Sequence, residues 1–133
     1  MTSTQAARRP ERYLRNAILQ LLRAHGIAVW PTGVGAFPAS YNGKQRFVRV
    51  GSRGMSDIIG CLPIIAPPPG SYAVTRDYVN AVPGRFLAIE VKNPGGKVSL
   101  EQTAFLQTVT RAGGIGFVAR SCDEVVEKLG LRP

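Results

Sequence analysis

Arg85-Phe-Leu-Ala-Ile-Glu-Val-Lys92 decides the fold. Five apolar residues run without interruption from Phe86 to Ile89 and again at Val91, the pattern of a strand covered on both faces, as in parallel or mixed sheets flanked by helices. Only Glu90 and Lys92 break it. Being two apart on a strand, they leave by the same face while Val91 leaves by the other. An exposed ion pair at a strand end contributes only about 0–1 kcal/mol. A charge interrupting so apolar a strand, in contrast, is costly to bury without compensation. On these three residues alone a structural ion pair outweighs catalysis.

The chain downstream supplies the cover. After Asn93-Pro-Gly-Gly-Lys97, the Ser99-x-x-Gln102 capping box opens a helix with Phe105, Leu106, Val109 and Ala112 on its inner face, stopped by Gly113-Gly114. Ile115 to Ala119 reads as a second buried strand, and Ser121 with Glu124 caps a last helix ending at Gly130. Upstream, Leu14, Ala17, Ile18, Leu21 and Leu22 fall on one face of a helix spanning about residues 10–25, begun by Pro10 and closed by Gly26. Ile27 to Trp30 is a short strand, with Trp30 assigned to the core. Residues 31–45, rich in Gly and Pro, read as a loop. Arg46-Phe-Val-Arg-Val50 and Asp57-Ile-Ile-Gly-Cys-Leu-Pro-Ile-Ile65 read as two strands joined by a basic turn. Residues 66–84 hold four prolines and read as an insertion with at most a short hairpin near Tyr72 to Thr75. The predicted class is α/β, a central mixed β-sheet flanked by helices in α-βββ-α-β-α order.

At 133 residues the chain forms a single domain, with residues 1–9 expected to be flexible. Apolar residues at 44% and charged residues at 19% exclude wholesale disorder. No apolar run is long enough to cross a bilayer, and no apolar segment follows the basic N-terminus to make a secretory signal. Cys61 and Cys122, far apart and outside any CxxC pair, suit buried thiols of an intracellular protein, cytoplasmic or nucleoid-associated. His25, the sole histidine, suits a helix C-terminus better than a metal site.

The formal net charge of +9 favours a polyanionic partner. The excess is concentrated early: five arginines against Glu11 in residues 1–23, and Lys44, Arg46, Arg49 and Arg53 against Asp57 in residues 24–60. These four basic residues, with Lys97, are candidates to grip phosphates. Tyr72 and Tyr78 are candidates to stack on unpaired bases or to pack within the insertion.

Asp57 alters the weighing of Glu90. It heads a second apolar strand just after a tight turn, so neighbouring strands can present two carboxylates at one place. Two carboxylates, waters and phosphate oxygens make an ordinary ligand set for Mg²⁺. The ordered set Gly54-Met-Ser-Asp-Ile-Ile-Gly60, Phe86-Leu-Ala-Ile-Glu-Val-Lys92, Gly95-Gly-Lys-Val-Ser-Leu-Glu-Gln102 and Ala112-Gly-Gly-Ile-Gly-Phe-Val118 resembles the VRR-NUC domains of the PD-(D/E)xK, or restriction-endonuclease-like, nuclease superfamily. That resemblance implies a Mg²⁺- or Mn²⁺-dependent endodeoxyribonuclease. By it, Asp57 and Glu90 match the metal-binding carboxylates, Val91 the backbone carbonyl ligand, Lys92 the catalytic lysine and Gln102 the glutamine at the start of the next helix. Glu11 matches the acidic residue that related nucleases keep on the first helix near the metal. Ser56 stands where the superfamily's nominal proline would be. Gln102 has a second reading, as the capping partner of Ser99 alone. Small members of the family resemble Holliday-junction resolvases, which implies branched DNA and a homodimer, with residues 31–45 or 66–84 as dimer contacts. The competing classes are a non-catalytic binding module on a nuclease scaffold and a ribosomal-type RNA binder.

Overall fold

The computed structural model describes residues 9–33, 37–48, 52–64 and 83–132. Its elements in order are α1 (Glu11–Ala24), β1 (Ala28–Pro31), β2 (Phe37–Tyr41), β3 (Lys44–Val48), β4 (Ile58–Pro63), β5 (Gly84–Val91), α2 (Leu100–Arg111), β6 (Ile115–Ala119) and α3 (Cys122–Leu129). Strands β1, β4, β5 and β6 lie side by side in that order in one sheet. β4 runs antiparallel to both β1 and β5, and β6 runs parallel to β5. A parallel pair needs a long crossover, and α2 is that crossover. The main sheet with its helices therefore follows α-βββ-α-β-α, the three strands being β1, β4 and β5.

Strand β5 is covered on both faces, which accounts for its continuous apolar reading: every residue from Leu87 to Val91 is buried. On one face Ile18, Leu19 and Leu22 of α1 and Val125 of α3 pack with Val29, Ile58, Leu87, Ile89, Val91 and Phe117. On the other, Leu106 and Val109 of α2 pack on Ala88, with Phe105 and Val118 half-buried beside them. Both serine caps form, Ser99 accepting from the Gln102 amide and Ser121 from that of Glu124. α3 ends at Gly130 in the left-handed conformation.

Several expectations are corrected. Residues 31–45 are not a plain loop: β2 and β3 pair as a separate antiparallel hairpin through Asn42-Gly43, both with positive φ as a type I′ turn requires. Arg46 thus pairs with Ala39, and the strand that contains it does not pair with β4, which spends its two edges on β1 and β5. Trp30 is not core but 55% exposed, because Val29, not Trp30, turns toward α1. Neither thiol is buried: Cys61 is exposed and Cys122 half-buried, both free. Leu19 replaces Ala17 in the buried stripe of α1, and Ala112 is the exposed C-cap of α2. His25 does occupy the end of α1, where the main-chain carbonyls of Arg132 and Leu21 meet its ring and raise its pKa. The reading of Tyr72, Tyr78 and a hairpin near Tyr72 to Thr75 falls outside the described residues, as does Arg49.

Candidate active site

The β4–β5 register pairs Ile58 with Ile89, so the next residue outward on each strand brings Asp57 opposite Glu90. Directly opposed residues share a face, with Cβ atoms about 4.5–5.5 Å apart. Asp57 ends the ladder with its side chain: its Oδ2 accepts the Val91 N–H at 2.8 Å. The same main-chain segment is tied to Thr32, just beyond β1, which gives its N–H to the Asp57 carbonyl at 2.8 Å and its hydroxyl to the Ser56 carbonyl. The turn before Asp57 is held against α2. Gly54 has φ +81°, and a Cβ there would stand 2.5 Å from the Glu101 main chain, so only glycine allows this approach.

Glu90 is 2% exposed. Its Oε1 accepts a 2.7 Å hydrogen bond from Gln102 Nε2 and lies 3.6 Å from Lys92 Nζ. Its Oε2 is buried with no hydrogen-bond partner. Burial raises the Glu90 pKa, the Asp57 carboxylate raises it further, and Lys92 opposes them, leaving it at about 8. The two readings of Gln102 are thus one arrangement. Its Oε1 accepts the Ser99 N–H at 2.9 Å, closing the capping box, while its Nε2 reaches Glu90. The cap fixes the glutamine, and the glutamine fixes the carboxylate.

Lys92, with its side chain 15% exposed, follows the end of β5 and donates its main-chain N–H to Ala119. The turn after it is held by Arg120, which donates to the Asn93 and Gly96 carbonyls at 3.0 and 2.8 Å, and by the Asn93 side chain, which donates to the Arg9 carbonyl. Thr32 and Arg120 are supporting residues that no motif in the sequence announces. Glu11 Oε1 lies by this turn, 3.6 Å from where a Cβ on Gly96 would stand. Among the described residues no three His, Cys, Asp or Glu side chains gather closely enough to hold a metal, so Glu11 does not join the carboxylate pair. Arg53 and Lys97 are exposed in the turns leading to Asp57 and to α2, and Lys44 is exposed at the start of β3.

The donor set fits a divalent cation: two opposed carboxylates, one of them with a buried oxygen that no protein donor satisfies, are hard oxygen ligands awaiting positive charge.

A mixed sheet between helix layers, with an aspartate and an E-x-K pair converging at one end of two adjacent strands, defines an α/β fold of the PD-(D/E)xK nuclease kind. The family model of the VRR-NUC domain matches residues 10–123, most of the chain. The chain belongs to the VRR-NUC domain family, a family of nucleases. No curated protein and no solved structure gives a significant match. No helix of the described residues is long and apolar enough to cross a membrane.

Proposed function

We propose that the protein is a Mg²⁺- or Mn²⁺-dependent endodeoxyribonuclease selective for branched DNA, with Asp57, Glu90, Lys92 and Gln102 as its site. The observation that carries the reading is the buried, unsatisfied Glu90 Oε2 beside Asp57. Asp57, Glu90 and the Val91 carbonyl would hold the cation, which would supply Lewis-acid polarisation of the scissile phosphate and a bound water acidic enough to react near neutral pH. Asp57 is oriented for this by the Val91 N–H, and Glu90 by Gln102, so both carboxylates are placed before any ligand arrives. Glu90 must give up its proton to bind, because burial keeps it largely protonated at neutral pH. Lys92 supplies a positive charge beside the pair, placed to offset the negative charge that grows on the phosphate oxygens as the bond to the attacking oxygen forms. Arg53, Lys97 and Lys44, with Arg46 and Arg49, hold the backbone of the DNA.

Branch selectivity and a homodimer are supported by the likeness to junction resolvases and by symmetry: two cuts related by a two-fold axis call for two sites. Location in the cytoplasm or on the nucleoid is supported by the two unpaired cysteines. A panel of four-way junction, flapped and linear duplex DNA, incubated with Mg²⁺, Mn²⁺ or EDTA, tests the reading. Cleavage that needs the metal and favours branched substrates supports it. Undiminished cutting by Asp57→Ala or Glu90→Ala overturns the residue assignment, and metal-independent binding without cleavage of any substrate assigns a binding module instead.

A further inference from the structure

Among the described residues, the sheet face that carries the carboxylates is covered by a helix over only part of its width: α2 packs on β5 and β6, and no described helix packs on this face of β1 and β4. The register lays out this face in rows: Thr32, Asp57 and Glu90 at the carboxylate end, then Trp30, Ile59 and Ala88, then Ala28, Cys61 and Phe86. Trp30 is 55% exposed and Phe86 45%, with Cys61 and Ala28 also exposed. A contiguous exposed apolar patch of this kind marks a binding surface. Trp30 pairs with Ile59, so Asp57, two residues earlier on β4, is its diagonal neighbour on the same face, about 7–8 Å away.

We infer that Trp30 is a stacking platform for an unpaired base next to the phosphate being cut, and that it makes the site select nucleotides already out of the double helix. The inference rests on the nuclease reading and deepens it. An indole face adjoining a phosphate-handling site, on a chain with 17 Lys and Arg against 8 Asp and Glu, fits a nucleobase of a polyanion better than an apolar protein surface. Bases within an intact duplex have both faces occupied by their neighbours, so the ring meets a base only at a flap, gap or junction, where little unstacking energy remains to be spent. Specificity for DNA structure then arises one strand away from the carboxylates, with no contact to a base edge.

Trp30 is the sole tryptophan, so its emission reports on this site alone. The protein is titrated in EDTA with a single-stranded oligonucleotide, a flapped duplex and an intact duplex. Single-stranded and flapped DNA are expected to quench the emission and intact duplex to leave it unchanged. Trp30→Ala is expected to weaken binding of single-stranded and flapped DNA about tenfold or more, with Trp30→Phe recovering most of the loss and duplex affinity unaltered. Absence of quenching by any DNA, equal quenching by duplex, or equal weakening of all three substrates by Trp30→Ala overturns the inference. So does an emission shift on concentrating the protein without DNA, which gives the patch to a second copy of the chain. None of these readouts needs cleavage, so an inactive protein that still stacks a base refutes the nuclease reading and leaves only the base-stacking role of Trp30 standing.

Discussion

Gln102 has two polar ends and the chain uses both, one on the Ser99 N–H and one on Glu90 Oε1. The two uses separate by mutation. Ser99→Ala removes the hydroxyl that accepts the Gln102 amide but leaves Nε2 free to hold Glu90, and is expected to cost about 0.5–2 kcal/mol of stability with cleavage little changed. Gln102→Ala keeps its main-chain N–H on the Ser99 hydroxyl but is expected to lose the Ser99 N–H bond of the capping box and, in addition, about 10–100-fold in activity or metal affinity, because it releases the carboxylate. Thermal melts beside cleavage rates check both; equal rate losses in the two variants contradict the dual role. Glu90 carries a second expectation. Its pKa is about 8 when folded and near 4.5 in an unfolded chain, so between those pH values the unfolded chain releases a proton that the folded one keeps. The unfolding free energy therefore falls as pH rises through that window, the contribution being full below about 4.5 and gone above about 8. Metal-free protein is expected to show a melting temperature that declines across this range relative to Glu90→Gln, and parallel pH profiles contradict it. Asp57, Glu90 and Lys92 are legible in the sequence because charges interrupt apolar strands. The state of Glu90 Oε2 is not, since it depends on what three other elements bring to it.

At the scale of elements, the sequence signals that held were short-range ones. The two serine caps, the glycine stops and the apolar runs of β5 and β6 specify α2, β6 and α3 within a residue or two, because capping and periodicity are decided within a turn or a strand. Strand partnership is not read from apolar patterning alone, and there the basic strand at Arg46 misleads: the next clearly apolar run along the chain is β4, yet it closes on β2. Asn42-Gly43, the strongest local hairpin signal, sits among so many Gly and Pro that it reads as part of a loop. Trp30 is misread for a related reason: in a four-residue strand, which alternate face is buried depends on which helix packs there. The close approach of the Gly54 turn to Glu101 yields its own test. Gly54→Ala forces a Cβ into the Glu101 main chain at a positive φ, with an expected cost of at least about 1–2 kcal/mol. By displacing the segment that leads to Asp57 it is expected to slow cleavage as well; a denaturant midpoint equal to the wild type contradicts the packing.

For the molecule as a whole, the proposed function gives the +9 charge the work of holding a polyanion and the Asp57–Glu90 pair that of cutting it. DNA affinity is expected to fall steeply with salt, each phosphate contact adding about 0.9 to the log–log slope for duplex. Arg53→Ala and Lys97→Ala are each expected to lower that slope by about one, and a slope unchanged by both removes those turns from the interface. The most direct test of the central claim compares wild type with Asp57→Asn and Glu90→Gln on a flapped duplex, measuring cleavage with Mg²⁺ or EDTA and binding in parallel. The wild type is expected to cut only with the metal, and both variants to bind the DNA as well as the wild type while cutting on the order of 100-fold more slowly or less. Cleavage by the wild type in EDTA, or by either variant at the wild-type rate, contradicts a metal-dependent site built on Asp57 and Glu90.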